Sequence, residues 1–271
     1  VATYEDDPYN RIEWTITQPG LWTGAVSTNW YTGDNWDDLS IPTAGTDVVI
    51  PATALNMPVI DAGEWECNNL NIGGTLTLSG GNLIANGDMT ITGTLAMNAP
   101  ADQLSVFGNV DWESGSQAAI TADVVIEAYG HWNFNAGSFA GIDNGKVNFT
   151  GNQSKWIRCY SENSYFNSVY VNKTSGSQIG FSDLSTELLL INGELRVFAN
   201  GKFVSDGGVD VILNGDLISD GTTQCNGAAF KLAGADQSIK PNTNDYFNHL
   251  VFSQTGTVSI NTANTSVINV K

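Results

Sequence analysis

Basic residues are scarce in this sequence. Its 271 residues include 10 lysines and arginines against 28 aspartates and glutamates, a formal net charge of −18 at pH 7. The shortage is local, because residues 1–145 hold 18 acids and a single base, Arg11, whereas residues 146–271 hold 10 acids and nine bases. A negative field of this size repels phosphate backbones, so we expect no nucleic-acid partner. The excess acid either keeps a neutral β protein soluble or collects divalent cations.

Long apolar runs and cysteine or histidine clusters are also missing. No run approaches the ~18 apolar residues that a spanning helix requires, so we expect no membrane insertion. Cys67, Cys159 and Cys225 lie too far apart for a Cys-x-x-Cys metal knuckle. Their odd number leaves either one disulfide or three free thiols. His131 and His249 are the only histidines, and their separation is not a metal-ligand spacing.

Helix signals are nearly absent, and alternating strands take their place. Short runs in which apolar and polar residues alternate, such as Thr75-Leu76-Thr77-Leu78, are separated by Gly, Asn, Asp and Ser. This period of two indicates half-buried strands joined by turns. The pattern predicts an all-β protein.

The strands recur at a regular interval along the chain. In three copies a glycine precedes a short strand and a second glycine follows, and the first glycines of these copies are Gly87, Gly108 and Gly130. A further copy starts at Gly215. The first three of these glycines are 21 and 22 residues apart. A coil of about 22 residues that holds two or three short strands is typical of a parallel β-helix. We therefore predict a right-handed parallel β-helix, a single-stranded solenoid of about 22 residues per coil.

Alignment of the copies gives two columns that should point into the core. Positions two apart on a strand share a face, and equivalent positions stack on successive coils. The two inward columns consist of Met89, Val110, Trp132 and Leu217, and of Ile91, Trp112 and Phe134. The intervening Thr90, Asp111 and Asn133 are then predicted to face solvent. A longer repeat, whose period is near four coils, joins positions 147–171 to positions 230–252.

The N-terminal segment, residues 1–60, departs from this repeat and contains four of the eight tryptophans. A solenoid needs a cover on its first coil, because an open end exposes both strand edges and core. We predict that residues 1–60 form a Trp-rich N-terminal cap with the first irregular coils. Residues 61–271 are predicted to form the parallel β-helix.

Two groups in the cap are candidate sites. Four carboxylates lie among Gly and Asn residues in loops of the kind that Ca²⁺ prefers, although Asp in a loop is also an ordinary turn former: Asp34, Asp37, Asp38 and Asp47. Trp22, Trp30 and Trp36 either seal the cap or form an exposed aromatic platform for a sugar ring. Calcium is the one cofactor that we consider.

Catalysis has little support in the sequence. The densest late group of carboxylates lies among glycines and is typical of turns: Asp206, Asp210, Asp216 and Asp220. A polysaccharide lyase needs a base near its carboxylates, and the early coils have no Lys or Arg after Arg11. No nucleophile elbow or phosphate loop is present. We expect a protein that is not an enzyme.

The N-terminal segment resembles a known class of secreted protein. Its motifs are Trp22-Thr23-Gly24, Asp34-Asn35-Trp36 and the run from Ile41 to Pro51, followed later by the Tyr-Phe-Asn-x-Leu/Val motif. They are similar to segments of large secreted and cell-surface proteins of Bacteroidetes, in which they open β-helical regions. The resemblance implies export, with the type IX route as one way, and an adhesin-like role at the cell surface. It implies no single activity.

These observations lead to two hypotheses on function. The first is a non-catalytic extracellular structural or adhesive β-solenoid, either a subunit of a surface filament or a segment of a larger adhesin. Its partners would be copies of itself or neighbouring β-helical domains, joined end to end. The alternative is a carbohydrate-binding or polysaccharide-degrading β-helix, with extracellular glycans as partners.

Overall fold

The computed structural model describes residues 2–3, 13–14, 16–135, 138, 141–159, 164–181, 188–206, 208–253, 256–261 and 269–270. It confirms the predicted class: an all-β solenoid of about nine turns, with parallel sheets and roughly 22 residues in each turn. The only helix among these residues is a 3₁₀ turn at Gly33–Asn35. None of their helices is long and apolar enough to cross a membrane.

Among the residues that the structure describes, fifteen strands lie in the first half of the chain. In order they are β1 (Ala2–Thr3), β2 (Glu13–Trp14), β3 (Val48–Ile50), β4 (Val59–Ile60), β5 (Glu64–Cys67), β6 (Leu70–Ile72), β7 (Thr75–Leu78), β8 (Asn82–Ala85), β9 (Met89–Ile91), β10 (Thr94–Met97), β11 (Gln103–Val106), β12 (Val110–Trp112), β13 (Gln117–Ile120), β14 (Val125–Ala128) and β15 (Trp132–Phe134).

Fourteen more strands follow in the described part of the second half. They are β16 (Lys146–Gly151), β17 (Lys155–Cys159), β18 (Ser168–Lys173), β19 (Gln178–Phe181), β20 (Leu188–Ile191), β21 (Leu195–Val197), β22 (Lys202–Ser205), β23 (Asp210–Leu213), β24 (Leu217–Ser219), β25 (Thr222–Leu232), β26 (Gln237–Lys240), β27 (Tyr246–Phe252), β28 (Val258–Ile260) and β29 (Asn269–Val270).

The strands form three faces that run along the solenoid. Face A begins with β3, β6, β9, β12 and β15, and continues through β17, β19, β22 and the first halves of β25 and β27 to β29. Face B holds β4, β7, β10 and β13, and later β20, β23 and the second halves of β25 and β27. Face C is a sheet of ten strands from β5 to β28. Because β25 turns the corner between faces A and B, with a register shift between Cys225 and Ala229, the two faces merge there.

The predicted inward columns are confirmed except at Leu217. Leu217 is buried, but it lies in β24 on face C in register with Leu195, because the glycine of its copy, Gly215, precedes a strand of that face. Met89, Val110 and Trp132 pair in register on face A, and each side chain is fully buried. Ile91, Trp112 and Phe134 form the second column in the same strands and are buried as well. Burial of an aliphatic or aromatic side chain contributes roughly 1.5–3 kcal/mol, so a core that is continuous from coil to coil is the main source of stability. All three cysteines are buried; Cys67 and Cys225 are free thiols, and the thiol of Cys159 donates to the carbonyl of Ser164.

Glycine at the corner between faces C and A is required by close packing of successive turns. A Cβ on Gly130 would lie 2.0 Å from the carbonyl oxygen of Gly108, and a Cβ on Gly108 would lie 2.4 Å from that of Gly87. No side chain fits at such a distance from a backbone atom. The glycines that reveal the repeat in the sequence are therefore contacts between coils.

Parallel pairing reaches back into the segment predicted as the cap. Val48 on β3 pairs with Leu70, and Val59 on β4 pairs with Thr77. An isolated parallel bridge also joins Leu21 to Val49. The regular ladder therefore begins near Val48 within residues 1–60, and the tryptophan cluster sits directly before it.

Candidate functional site

The three cap tryptophans form a closed cluster. Trp22 and Trp30 stack with ring centroids 6.2 Å apart, and Trp36 meets both edge-on at 4.9 and 4.8 Å. The indole N–H of Trp22 donates to the carbonyl of Asn56 at 2.7 Å, and that of Trp36 donates to the carbonyl of Trp30 at 2.9 Å. Such edge-to-face pairs are favoured by the ring quadrupoles.

Burial decides between the two interpretations of these rings. Each of the three side chains is at most 1% exposed, so no ring face is accessible to a sugar. The hypothesis of an exposed platform at Trp22, Trp30 and Trp36 is therefore wrong. The cluster closes the N-terminal end of the core because large aromatic rings fill the volume that the next coil would otherwise occupy.

The four cap carboxylates do not gather into one centre. Asp37 accepts the backbone N–H of Gln18, Asp38 accepts that of Ser40, and Asp34 is exposed on the 3₁₀ turn. Asp47 accepts the backbone N–H of Asn69 and the side-chain amides of Asn68 and Asn69, and these hydrogen bonds lower its pKa. Over the described part of the chain, no three Asp, Glu, His or Cys side chains are placed to hold a metal ion. Calcium binding at these residues stays a prediction.

The late carboxylates are joined to neighbouring coils. Asp206 accepts the amide of Asn226, and Asp216 accepts the backbone N–H of Ser238, both at 2.7 Å. Asp210 binds Lys231, and Asp220 binds Lys240 and lies near Arg196. Each of the four carboxylates thus connects its own coil to a neighbouring coil, which is a structural role.

A column of polar side chains follows the corner between faces C and A. The Oδ1 atom of Asn69 accepts the backbone N–H of Asp88. In the same way, Oδ1 of Asp88 accepts the backbone N–H of Asn109, and Oδ1 of Asn109 accepts the backbone N–H of His131. The Nδ1 atom of His131 then accepts the backbone N–H of Trp156 at 3.1 Å. Burial, followed by the nearby positive charges, lowers the pKa of His131, which matches its role as a neutral acceptor. Each turn thereby satisfies a backbone N–H of the next.

Two carboxyl groups are buried in turns. Asp102 accepts three backbone N–H groups, from Gly80, Asn98 and Ala99. Asp245 accepts the hydroxyl of Ser219 and the backbone N–H groups of Thr223 and Asn242. Burial raises the pKa of Asp245 to about 6, although its hydrogen bonds oppose the shift. Both groups hold a turn closed from within, and neither reaches solvent.

Four aromatic side chains lie on the corner between faces C and A, and we call them the aromatic corner: Phe107, Tyr129, His131 and Trp156. Phe107 and Tyr129 stack with centroids 4.3 Å apart and an interplanar angle of 16°. His131 and Trp156 stack at 5.7 Å and 10°. Phe107 is 47% exposed, so this corner presents aromatic surface to solvent.

A shallow cleft of about 130 Å³ adjoins the first stacked pair. It is lined by Phe107, Tyr129, Gly151, Asn152, Gln153 and Lys155. Gly151 has a φ of +89°, and a Cβ there would lie 3.4 Å from Cδ1 of Tyr129. Because glycine has no side chain, the Tyr129 ring stays uncovered on this side. A second open cleft of about 280 Å³ lies further along the solenoid, between turns that contain Gly201, Gly221 and Asn242.

Positive charge is concentrated beside the aromatic corner. Lys155, Arg158 and Lys173 all act on His131 and lower its pKa. Lys173 is buried, its ammonium donates to the carbonyl of Thr150, and desolvation lowers its pKa to about 8. In a chain of net charge −18 this is a local reversal of sign.

The aromatic corner is not among the sites predicted from the sequence, although the sequence carries a signal for it. Phe107 and Tyr129 directly precede the aligned glycines Gly108 and Gly130. Residues at equivalent positions of successive coils stack, so two aromatic residues in this column predict a stacked surface pair. The partner of His131 had no such signal, because Trp156 follows a coil that is longer than its neighbours.

Comparison with known proteins gives one finding. A family model described as a domain of unknown function (DUF8693) matches residues 21–106. Neither a curated protein nor a solved structure matches the chain. The matched range runs from the buried tryptophan cluster to the end of β11, so the family unit combines the cap with the first coils of the solenoid.

Proposed function

We propose that this chain is a non-catalytic structural or adhesive β-solenoid that acts outside the cell and associates end to end. It would serve as a subunit of a surface filament or as a segment of a larger adhesin. The continuous core and the hydrogen-bonded corner columns support a rigid rod. The similarity of the N-terminal motifs to those of exported surface proteins supports the location.

The distribution of exposed apolar side chains carries the proposal. In the part of the chain that the structure describes, the large hydrophobic residues with the greatest exposure occur in two groups, apart from Phe107. One group lies in the first turns and the other in the last: Ile16, Val26, Tyr31, Leu39 and Leu55, then Val251, Phe252 and Ile260. Apolar surface that is concentrated in this way marks interaction sites.

The occupant that fits these two groups is a second copy of the chain. Contact between the first turns of one copy and the last turns of another is heterologous, so it continues into a filament rather than closing into a dimer. Charge favours the same arrangement, because the acidic half of one copy would meet the nearly neutral half of the next. Head-to-head contact would instead bring two strongly acidic halves together.

Electron microscopy tests this proposal. Purified chain at rising concentration should form particles that lengthen in multiples of one solenoid, and immunogold labelling should place them at the cell surface. Phe252→Ser and Ile260→Ser should shorten the particles, because they remove apolar area from the last turns. Phe107→Ser is the matched control and should leave particle length unchanged. Isolated monomers at all concentrations, or equal effects of the three variants, would overturn end-to-end association.

A second candidate function is carbohydrate binding. One observation favours it, namely the exposed aromatic corner beside amide and cationic side chains. Polysaccharide degradation lacks comparable support, because each of the four late carboxylates is engaged by neighbouring coils.

A further inference from the structure

We propose that the aromatic corner and its cleft bind a carboxylated pyranose, such as a uronic acid residue displayed on a glycan. The inference deepens the carbohydrate-binding function and is independent of end-to-end association. Its site is built from Phe107, Tyr129, Asn152, Gln153 and Lys155, which all line the cleft.

The stacked pair supplies the surface for the sugar ring. Phe107 is the exception among the exposed large apolar residues, because it lies mid-rod, away from the first and last turns. Its ring is held in place by Tyr129 at 4.3 Å, so little conformational entropy is lost when a ligand covers it. The missing side chain at Gly151 leaves room beside Tyr129. A flat apolar face that is rigid and reachable matches the CH face of a pyranose.

The polar lining matches the rest of such a ligand. Asn152 and Gln153 are exposed, and their amides carry both donors and acceptors for sugar hydroxyls. Lys155 places an ammonium in the same cleft, and no salt bridge ties it to an acid among the described residues. A carboxylate on the sugar would complete a charge-assisted contact there.

The net charge of the whole chain further restricts the class of glycan that the site can bind. A net charge of −18 repels densely charged polyanions such as nucleic acids, whereas one carboxylate on a neutral oligosaccharide meets the local positive charge of Lys155. The aromatic corner therefore favours a sparsely charged glycan over a continuous polyanion.

Calorimetric titration with two matched probes tests the inference. The probes are a tetrasaccharide that ends in glucuronic acid and the same chain ending in glucose. We expect the acidic probe to bind more tightly, with a preference that fades as salt is raised. Phe107→Ala should weaken both probes about tenfold, because it removes the stacking surface. Lys155→Gln should weaken only the acidic probe, by about three- to tenfold.

Phe252→Ala is the control, because it removes another exposed phenylalanine far along the chain. It should leave both affinities unchanged, and circular dichroism should show that all variants are folded. The proposed site would be overturned if neither probe binds, or if Phe107→Ala leaves the affinity for both probes unchanged. Binding that survives Phe107→Ala would still support a carbohydrate-binding function located elsewhere. Equal affinity for the two probes would overturn the carboxylate specificity.

Discussion

Single residues in this chain show how burial changes the role of a carboxyl group. Acids that solvent reaches, such as Asp206 and Asp216, accept hydrogen bonds from the next coil at the surface. Asp245 also accepts hydrogen bonds, but it lies inside a turn and is only 1% exposed. Its pKa is raised to about 6. The cause is desolvation, which penalises the charged form more than three donors stabilise it.

The shift in Asp245 predicts a pH dependence of stability. Its ordinary pKa of 3.8 applies in the unfolded chain, so between pH 4 and 6 folding takes up a proton. The favourable contribution is complete below pH 3.8 and is lost as the pH rises through 6. Relative to Asp245→Asn, which cannot titrate, the wild type should lose about 2 kcal/mol of unfolding free energy between pH 4 and 7. Denaturant unfolding across this range measures the difference, and a flat difference would contradict it.

Turns as well as strands hold the stack of coils together. The three faces need their corners to approach closely, and the Gly87, Gly108 and Gly130 column permits backbone contact there. The polar column from Asn69 to His131 runs along the same corner and satisfies one backbone N–H in each turn. Packing and hydrogen bonding thus fix the same register.

Gly130→Ala tests the close approach at this corner. Its Cβ would lie 2.0 Å from the carbonyl of Gly108, so two coils must separate locally, and we expect a loss of about 3 kcal/mol in unfolding free energy. Gly45→Ala is the matched control, because nothing lies within 4 Å of its added Cβ. It should change stability by less than about 0.5 kcal/mol. Chemical denaturation of both variants provides the comparison, and equal stability of the two would refute a packing role for the column.

The whole molecule is a rod with an uneven charge. Acids without matching bases in the first half are bound by amides, as when Asn133 donates to Asp111 and Asn148 donates to Glu127. Amide donors satisfy the oxygens but leave the net charge, so the coils of that half repel one another. Screening by salt should therefore stabilise the rod.

Thermal unfolding in two salts separates screening from metal binding. NaCl and CaCl₂ at matched ionic strength should raise the Tm about equally where they act by screening alone, whereas calcium binding at Asp34, Asp37, Asp38 and Asp47 should add a further increase in CaCl₂. A further increase in CaCl₂ that Asp47→Asn or Asp37→Asn abolishes would establish a calcium site in the cap. The same two variants in NaCl control for the loss of their hydrogen bonds.

Features inside the sequence repeat could be predicted from the sequence, whereas features outside it could not. The columns of Met89, Val110 and Trp132 followed from the spacing of glycines, because every coil solves the same packing problem. The cap tryptophans lie outside the repeat, so the sequence left burial and exposure as alternatives. The start of the ladder at Val48 was also hidden, since the first coils pair through short, irregular strands.

The sequence by itself determined the fold, the coil length and the inward faces of the strands, because these depend on local alternation and on a period that recurs. Only the tertiary structure decided which aromatic residues reach solvent and which groups each carboxylate contacts. Phe107 and Trp36 are both aromatic residues beside polar ones, yet one lies on an open corner and the other inside a closed cluster. Exposure depends on what the neighbouring coils place above and below a side chain, and that information is long-range.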